Sequence, residues 1–264
     1  AYRQDSDQCA AHIYEKINGT WSHRAKLTGE YFSPGEPRFG SSVFLSSDVA
    51  HAIVGEPEAN NSSGRVYIFE KPTTGWISTS SYKNKLSNNS ATFMGYDVSM
   101  DSNKSTIFVS NNNRYGINYF HIYENLYTMT TQWGATGYRI TGSSYHNYLG
   151  RKVAISGDSN TCAIGMKQTQ VSPTAVYVVV VYTKTNGSWD SGTDVGSFSS
   201  TSHTCEPCLS HDGNIFIIGD GTKGYSNIYT RSNGTWDSGT QITASAGGNQ
   251  FGYSVTVSGN GSVI

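Results

Sequence analysis

Four cysteines are the first residues of this 264-residue chain whose spacing suggests chemistry. Cys205 and Cys208 form a Cys-x-x-Cys pair, a spacing used for zinc binding and for thiol redox chemistry. A zinc site needs a second pair of ligands at suitable spacing, and a redox pair would open a helix in a βαβ unit. Neither is present in the sequence around the pair. We therefore expect structural or free thiols, and Cys9 and Cys162 leave the disulfide pairing open.

Acidic residues offer little for acid–base catalysis. Asp5 with Asp7, and Glu56 with Glu58, are isolated pairs in predicted loops, where solvated carboxylates are the simpler interpretation. The stretch 210–213 (SHDG) faintly resembles the Asp-box of sialidases, although Asp and Gly also belong in a tight turn between strands. Glycan cleavage would need two well-placed acidic groups, or a Tyr/Glu pair with clustered arginines, and no such cluster emerges.

The remaining catalytic patterns are missing from the sequence. It contains no G-x-S-x-G elbow, no H-E-x-x-H motif and no phosphate-binding loop. The seven histidines fall at unrelated positions and predict no metal site. We predict that the chain is not an enzyme and holds no cofactor and no metal.

Composition narrows the class of protein further. Charged residues make up 14% of the chain, the net charge is −1, and Gly (29) and Tyr (18) are abundant. This balance favours an all-β protein with many turns and gives no electrostatic reason to expect nucleic acid or an anionic membrane as partner. The longest apolar run, residues 175–182, has strand length, so no membrane insertion is expected. The first eight residues are polar and predict no signal peptide, as in a mature or excised form.

Five evenly spaced tryptophans indicate how the elements that would position a site are arranged. Trp21, Trp76, Trp133, Trp189 and Trp236 are separated by 55, 57, 56 and 47 residues, and 49 more lead from Trp236 through the chain end to Trp21. A period near 50 residues indicates a repeat architecture.

One copy of the repeat reads as four short strands joined by turns. Residues 39–48, 51–55 and 65–71 predict the first three strands, and residues 76–82 predict the outermost one. The plan returns 55 and 110 residues later, and more loosely around residues 205–236. The last copy is split, since 251–264 supplies its first strand and 12–27 its third and fourth.

The split copy predicts a five-bladed β-propeller of four-stranded antiparallel blades. The N- and C-terminal strands would share one blade and close the ring, so that no strand edge stays open. A piece cut from a six- or seven-bladed parent would align in the same way and stays an alternative. We predict a single domain, 1–264, with blades at 251–264 plus 1–30, 31–85, 86–142, 143–197 and 198–250.

The phrase F-G-x-S-V, S-x-D, V-G, V-Y-I-F and G-x-W resembles the FG-GAP repeat of integrin α-type propellers. The match is best over residues 39–76 and weaker over 94–133 and 204–236. The resemblance implies a propeller of an extracellular, ligand-binding kind. Integrin-type blades often hold calcium in a D-x-D-x-D-G loop, but none of the equivalent turns here carries more than one carboxylate, so we expect no calcium site.

The repeated aromatic and Asn residues have two interpretations each. We expect the five tryptophans and the third-strand tyrosines to pack between blades, with a sugar-stacking platform as the alternative. Many of the Asn-x-Ser/Thr sequons coincide with Asn-Gly turns, so they predict hairpins, glycosylation or both. The glycosylation candidates are Asn18, Asn60, Asn61, Asn88, Asn103, Asn186, Asn233 and Asn260.

A ligand is expected on the loops that join second and third strands, which lie at one end of the ring. The densest polar and aromatic group there is Asn111, Asn112, Asn113, Arg114 and Tyr115. We predict a non-catalytic extracellular recognition or adhesion module that binds a glycan or a protein. The alternative is a structural surface glycoprotein that self-associates in a filament, a coat or a virion appendage. A glycan-cleaving enzyme is the least favoured function.

Overall fold

The structure is a computed structural model that describes residues 9–30, 38–87, 93–111, 119–124, 138–141, 152–170, 176–198, 207–221, 223–244 and 250–264. The described residues form an all-β fold of several antiparallel sheets, as the composition predicts. In this part of the chain, no helix is long and apolar enough to span a bilayer.

The N-terminal hairpin consists of β1 (Ala10–Ile17) and β2 (Thr20–Thr28). Its turn, Asn18-Gly19, has positive φ at both residues (49° and 83°), the geometry that Asn-Gly favours in two-residue hairpins.

Sheet 1 is the complete four-stranded meander that the best repeat copy predicts. Its strands are β3 (Ser42–Leu45), β4 (His51–Glu56), β5 (Arg65–Glu70) and β6 (Asn84–Ser87), paired in that order. A single helical turn, α1 (Ala59–Ser62), joins β4 to β5. Asn60 and Asn61 lie in the left-handed region there, which asparagine tolerates better than most residues.

Three further sheets follow the same plan. Sheet 2 contains β7 (Met94–Met100), β8 (Thr106–Asn111), β9 (Tyr119–Glu124) and β10 (Tyr138–Thr141). Sheet 3 contains β11 (Val153–Ile155), β12 (Thr161–Gln170), β13 (Val176–Thr185), β14 (Ser188–Trp189) and β15 (Thr193–Phe198). Sheet 4 contains β16 (Pro207–Leu209), β17 (Ile215–Asp220), β18 (Tyr225–Ser232), β19 (Thr235–Trp236) and β20 (Thr240–Thr243).

The outermost strands lie further along the chain than predicted. In sheet 1 the fourth strand is β6, not residues 76–82. In sheets 3 and 4 the Trp sits on a two-residue strand, and the main fourth strand begins after a W-D-S-G segment. Asp190 accepts a hydrogen bond from the Gly192 N–H (2.9 Å), and Asp237 accepts one from the Gly239 N–H (3.0 Å). This small loop delays the fourth strand.

Each sheet packs face to face against the next sheet in chain order. Apolar clusters fill the four interfaces from the hairpin through sheet 4. Leu27 and Tyr67 share the cluster between the hairpin and sheet 1, and Ile53 and Ile107 share the one between sheets 1 and 2. Phe108 and Cys162 share the cluster between sheets 2 and 3, and Val179 and Phe216 the one between sheets 3 and 4. Their alternation along the strands puts one apolar set on each face of a sheet.

Glycines permit the closest approach between neighbouring sheets. A Cβ on Gly55 would overlap the carbonyl oxygen of Gly95, and a Cβ on Gly219 would overlap that of Gly252. These residues are the V-G and F-G glycines of the repeat. Backbone lies directly on backbone there, so only glycine fits.

Sheet 1 and the hairpin each have apolar residues that stay exposed although the repeat predicts them to be buried against another blade. Val43 is 62% exposed and Trp21 is 67% exposed, whereas Val98 and Val153, which match Val43, are buried. Residues 250–264 dock on sheet 4 through the His211 N–H, which donates to the Gly259 carbonyl oxygen (2.8 Å). This segment contains no assigned strand, and residues 1–8, which the closed-ring prediction places between it and the hairpin, lie outside the described residues.

The glycine contact generates a stability prediction. We expect Gly55→Ala to lower the free energy of unfolding by about 3 kcal/mol, because the new methyl group meets rigid backbone. Gly259→Ala is the matched control: its Cβ would lie 3.7 Å from the nearest atom, and we expect a change within about 0.5 kcal/mol. Urea denaturation measures both, and equal effects would contradict the packing argument.

Candidate functional site

The S-x-D segments form a hydrogen-bonded turn between the first and second strands of a sheet. In sheet 4, the Ser210 hydroxyl donates to Asp212 Oδ1 (2.7 Å), which also accepts from the Asn214 N–H (3.0 Å). The Ile215 N–H donates back to Ser210 Oγ (3.0 Å). Hydrogen bonds from Ser210 and Asn214 hold the pKa of Asp212 below its ordinary value.

The same turn recurs along the chain. Ser46 with Asp48 builds it in sheet 1 and Ser156 with Asp158 in sheet 3, and Asn260 replaces the Asp in the C-terminal segment. The turn therefore uses its single carboxylate to satisfy backbone N–H groups. This accounts for the Asp-box-like stretch at 210–213. Among the described residues, no group of three or more His, Cys, Asp or Glu side chains could hold a metal ion.

These turns define one end of the molecule, which we call the turn face. The Ser102 N–H donates to the Gly157 carbonyl (3.1 Å) and the Asp158 N–H to the His211 carbonyl (3.0 Å), so successive sheets are joined there. Ser102 Oγ and His211 Nδ1 are 3.2 Å apart, a nucleophile–base distance. In the part of the chain that the structure describes, no carboxylate hydrogen-bonds to His211, so the pair lacks the third member of a triad.

The opposite end, where second strands finish, is the loop face. Asn111 is the last residue of β8, opposite Met94, and is fully buried. Neither its amide nitrogen nor its amide oxygen has a hydrogen-bond partner. An unpaired buried amide is unfavourable by about 1–3 kcal/mol, so this position is not explained by stability. The other predicted binding residues, 112–115, lie outside the described part of the chain.

Glu56 occupies the matching position in sheet 1 and is also buried. Its Oε2 accepts a hydrogen bond from the Tyr67 hydroxyl (2.8 Å), and burial raises its pKa to about 7. The prediction of a solvated Glu56–Glu58 pair is therefore wrong, because β4 extends to Glu56 while Glu58 pairs with Arg38 (3.2 Å). Asp5 and Asp7 lie outside the described residues.

Glu30 completes a charged cluster beside Glu56. It accepts from Arg65 Nη1 (3.0 Å), from Lys85 Nζ (2.6 Å) and from the Tyr82 hydroxyl. Burial alone would raise the pKa of Glu30, but the hydrogen bonds from Lys85 and Tyr82 outweigh it and lower the pKa. Two carboxyls with pKa values pushed apart can mark an acid–base pair. Here Glu56 Oε2 accepts from Tyr67, and Glu30 binds Arg65 and Lys85, so both carboxyls are engaged within the protein.

The repeated tryptophans differ in their surroundings. Trp76 is buried, and its Nε1 donates to the Val49 carbonyl (3.2 Å). Trp189 meets Phe108 edge-on at 6.0 Å, and Trp236 meets Phe216 at 5.3 Å. Trp21 is exposed because no described sheet packs on its face of the hairpin, and Trp133 lies outside the described residues.

The sequon asparagines that the structure describes are all exposed. Asn18, Asn186 and Asn233 have positive φ at hairpin tips, as Asn-Gly turns require. Asn60 and Asn61 lie in α1, Asn103 and Asn260 lie in turns between first and second strands, and Asn88 lies outside the described residues. Of the cysteines, Cys9, Cys162 and Cys208 are free thiols.

Comparisons with known proteins address the fold. No family model and no curated protein matches the chain. A structure of Kuenenia stuttgartiensis hydrazine synthase is similar, with a TM-score of 0.53 and 11% identity over 79% of this chain and 55% of the other. A structure of TolB from Acinetobacter baumannii is similar, with a TM-score of 0.50 and 12% identity over 85% and 46%. The chain thus spans about half the length of these proteins. At such identity the likeness shows an all-β, propeller-like fold and nothing about function.

The turn geometry makes Asp212 a structural residue. We expect Asp212→Ala to lower the free energy of unfolding by about 1–2 kcal/mol, since the Asn214 N–H and Ser210 hydroxyl lose their acceptor. Asp212→Asn should change it by less than about 0.5 kcal/mol, because Asn260 serves the same role. Thermal unfolding with and without EDTA completes the test, and a shift with EDTA would reveal a metal.

Proposed function

We propose that the chain is a non-catalytic extracellular recognition module that binds a glycan or a protein through its loop face. The observation that carries this is the Asn111 amide, a buried donor and acceptor without partners beside the predicted binding residues. On the turn face, by contrast, polar side chains such as Asp212 satisfy their own backbone. Unused polar capacity on one face favours recognition there. The glycosylation candidates, exposed where described, accord with an extracellular location.

We further propose that the fold is a five-bladed ring. Residues 250–264 would contribute the inner strands of the fifth blade, and the N-terminal hairpin its outer strands. The unusual exposure of Val43, Leu45 and Trp21 supports this, because their equivalents in other sheets pack against a preceding sheet. Closure would cover all three residues at once.

The same exposure also favours the second candidate function, a structural surface subunit. If another copy of the chain covered Val43, Leu45 and Trp21, association would run from end to end and build a filament or coat. Catalysis has no comparable support, since the Ser102–His211 pair lacks an orienting carboxylate among the described residues.

Binding to a broad glycan array tests the recognition role. We expect a specific signal that survives EDTA and falls at least tenfold in affinity with Asn111→Leu, Arg114→Ala or Tyr115→Ala. Asn111→Leu should not lower the free energy of unfolding, because no hydrogen bond is lost. Asn103→Ala, on the turn face, is the control and should bind normally. The absence of binding to the array would exclude a glycan ligand and would favour a protein partner or a structural role.

Truncation of Trp21 tests ring closure. In a closed ring, Trp21→Ala should lower the free energy of unfolding by about 3–5 kcal/mol, as Trp76→Ala should. If the ring stays open, Trp21→Ala should change it by less than about 0.5 kcal/mol. An effect of Trp21→Ala that depends on protein concentration would instead support association between copies.

A further inference from the structure

The junction between the N-terminal hairpin and sheet 1 contains a buried carboxyl that the recognition role does not use. We propose that Glu56 is a proton-dependent latch: its neutral form keeps the hairpin docked on sheet 1, and its ionised form favours release of the hairpin. This goes beyond the proposed function, because it concerns how the fold opens and not what it binds.

Glu56 lies directly under the end of the hairpin. A Cβ on Gly29 would be 3.3 Å from Glu56 Oε1, so the backbone of Gly29 covers this oxygen. The other oxygen, Oε2, accepts from the Tyr67 hydroxyl (2.8 Å), and that hydroxyl accepts a hydrogen bond from the Glu30 N–H (3.4 Å). One phenol thus connects the buried carboxyl to the hairpin backbone.

The charged groups around Glu56 are already engaged with each other. Arg65 and Tyr67 of β5 and Lys85 of β6 lie near Glu56. Glu30, which follows β2, also lies near it, and Tyr82 binds Glu30. Both cations bind Glu30, at 3.0 Å and 2.6 Å. An ionised Glu56 would therefore be a buried charge whose described hydrogen-bond donor is the neutral Tyr67 hydroxyl, which is unfavourable.

The sign of the pH effect follows from burial. Burial raises the pKa of Glu56 to about 7, against an ordinary value of 4.5, so the docked state holds the proton more tightly than the open state does. The proton on Glu56 stabilises the docked hairpin fully below pH 4.5, and this stabilisation is lost as pH rises through 7. Glu30, whose pKa is lowered, stays ionised over this range.

Among the described sheets the hairpin packs on sheet 1 alone, through the apolar cluster around Leu27, so its opening would leave sheets 2 to 4 in place. Closure of the proposed ring would lower the opening constant but not its dependence on the Glu56 proton. The hairpin's described backbone bonds to sheet 1 run through Thr79, whose N–H donates to Lys26 O (3.0 Å) and whose carbonyl accepts from Thr28 N–H (3.1 Å). The Lys26 N–H also donates to Ser78 Oγ (2.9 Å). A short element held this way opens locally more readily than a central sheet.

Native-state hydrogen exchange at the amides of Lys26, Thr28 and Thr79 tests the latch in the full chain. After correction for intrinsic exchange, we expect the opening constant to rise about thirtyfold between pH 5.5 and 8.5, from a docked pKa of 7 and an open pKa of 4.5. Glu56→Gln, which cannot ionise, should remove this rise.

Glu58→Gln is the matched control, because Glu58 pairs with Arg38 and should leave the rise intact. A wild-type opening constant independent of pH, or a rise that persists in Glu56→Gln, would overturn the proposal. If that variant does not fold, carboxyl ¹³C titration of the wild type decides. A Glu56 pKa near 7 supports the latch, and an ordinary value refutes it.

Discussion

The contact of backbone with backbone between neighbouring sheets is the constraint on which the rest of the structure depends. Gly55 meets Gly95, and Gly219 meets Gly252, at the loop face. At the turn face, the N–H groups of Ser102, Asp158 and His211 donate hydrogen bonds to carbonyl oxygens in the corresponding turn of the next sheet or segment. Sheets 2 and 4 are thus held near both ends of their first two strands, and the apolar clusters fill the space between neighbouring sheets.

Polar groups are distributed to suit this frame. In the turns between first and second strands, side chains such as Asp48 and Asp158 accept hydrogen bonds from backbone N–H groups of their own turn, and Asp48 also pairs with Lys104 of sheet 2. Ionisable side chains gather mainly where the hairpin meets sheet 1, around Glu30 and Arg65. Charged groups also cross other interfaces, since Lys184 Nζ binds Glu124 between sheets 2 and 3 (2.6 Å), but at the hairpin junction burial raises the pKa of a carboxyl to about 7.

Most of the repeat was predictable from the sequence because turn chemistry is local. Asn-Gly pairs and S-x-D segments carry their own geometry, and both occur where expected. The fourth strand was placed too early because residues 76–82 of sheet 1 bond to the hairpin through Thr79, and because the W-D-S-G loops of sheets 3 and 4 precede the main fourth strand. The burial of Glu56 and Asn111 depends on neighbouring sheets that periodicity cannot show. Their positions at the ends of apolar second strands were the only available signal.

The order in which the sheets pack has a consequence for cooperativity. Every described strand pairs within its own sheet, and every interface joins neighbours in sequence, so the described fold is nearly one-dimensional. Such a chain is most protected in its middle, and sheets 2 and 3 each have a partner on both faces. Without ring closure, unfolding would begin at both termini and reach the interface between sheets 2 and 3 last, whereas a closed ring would remove these two starting points.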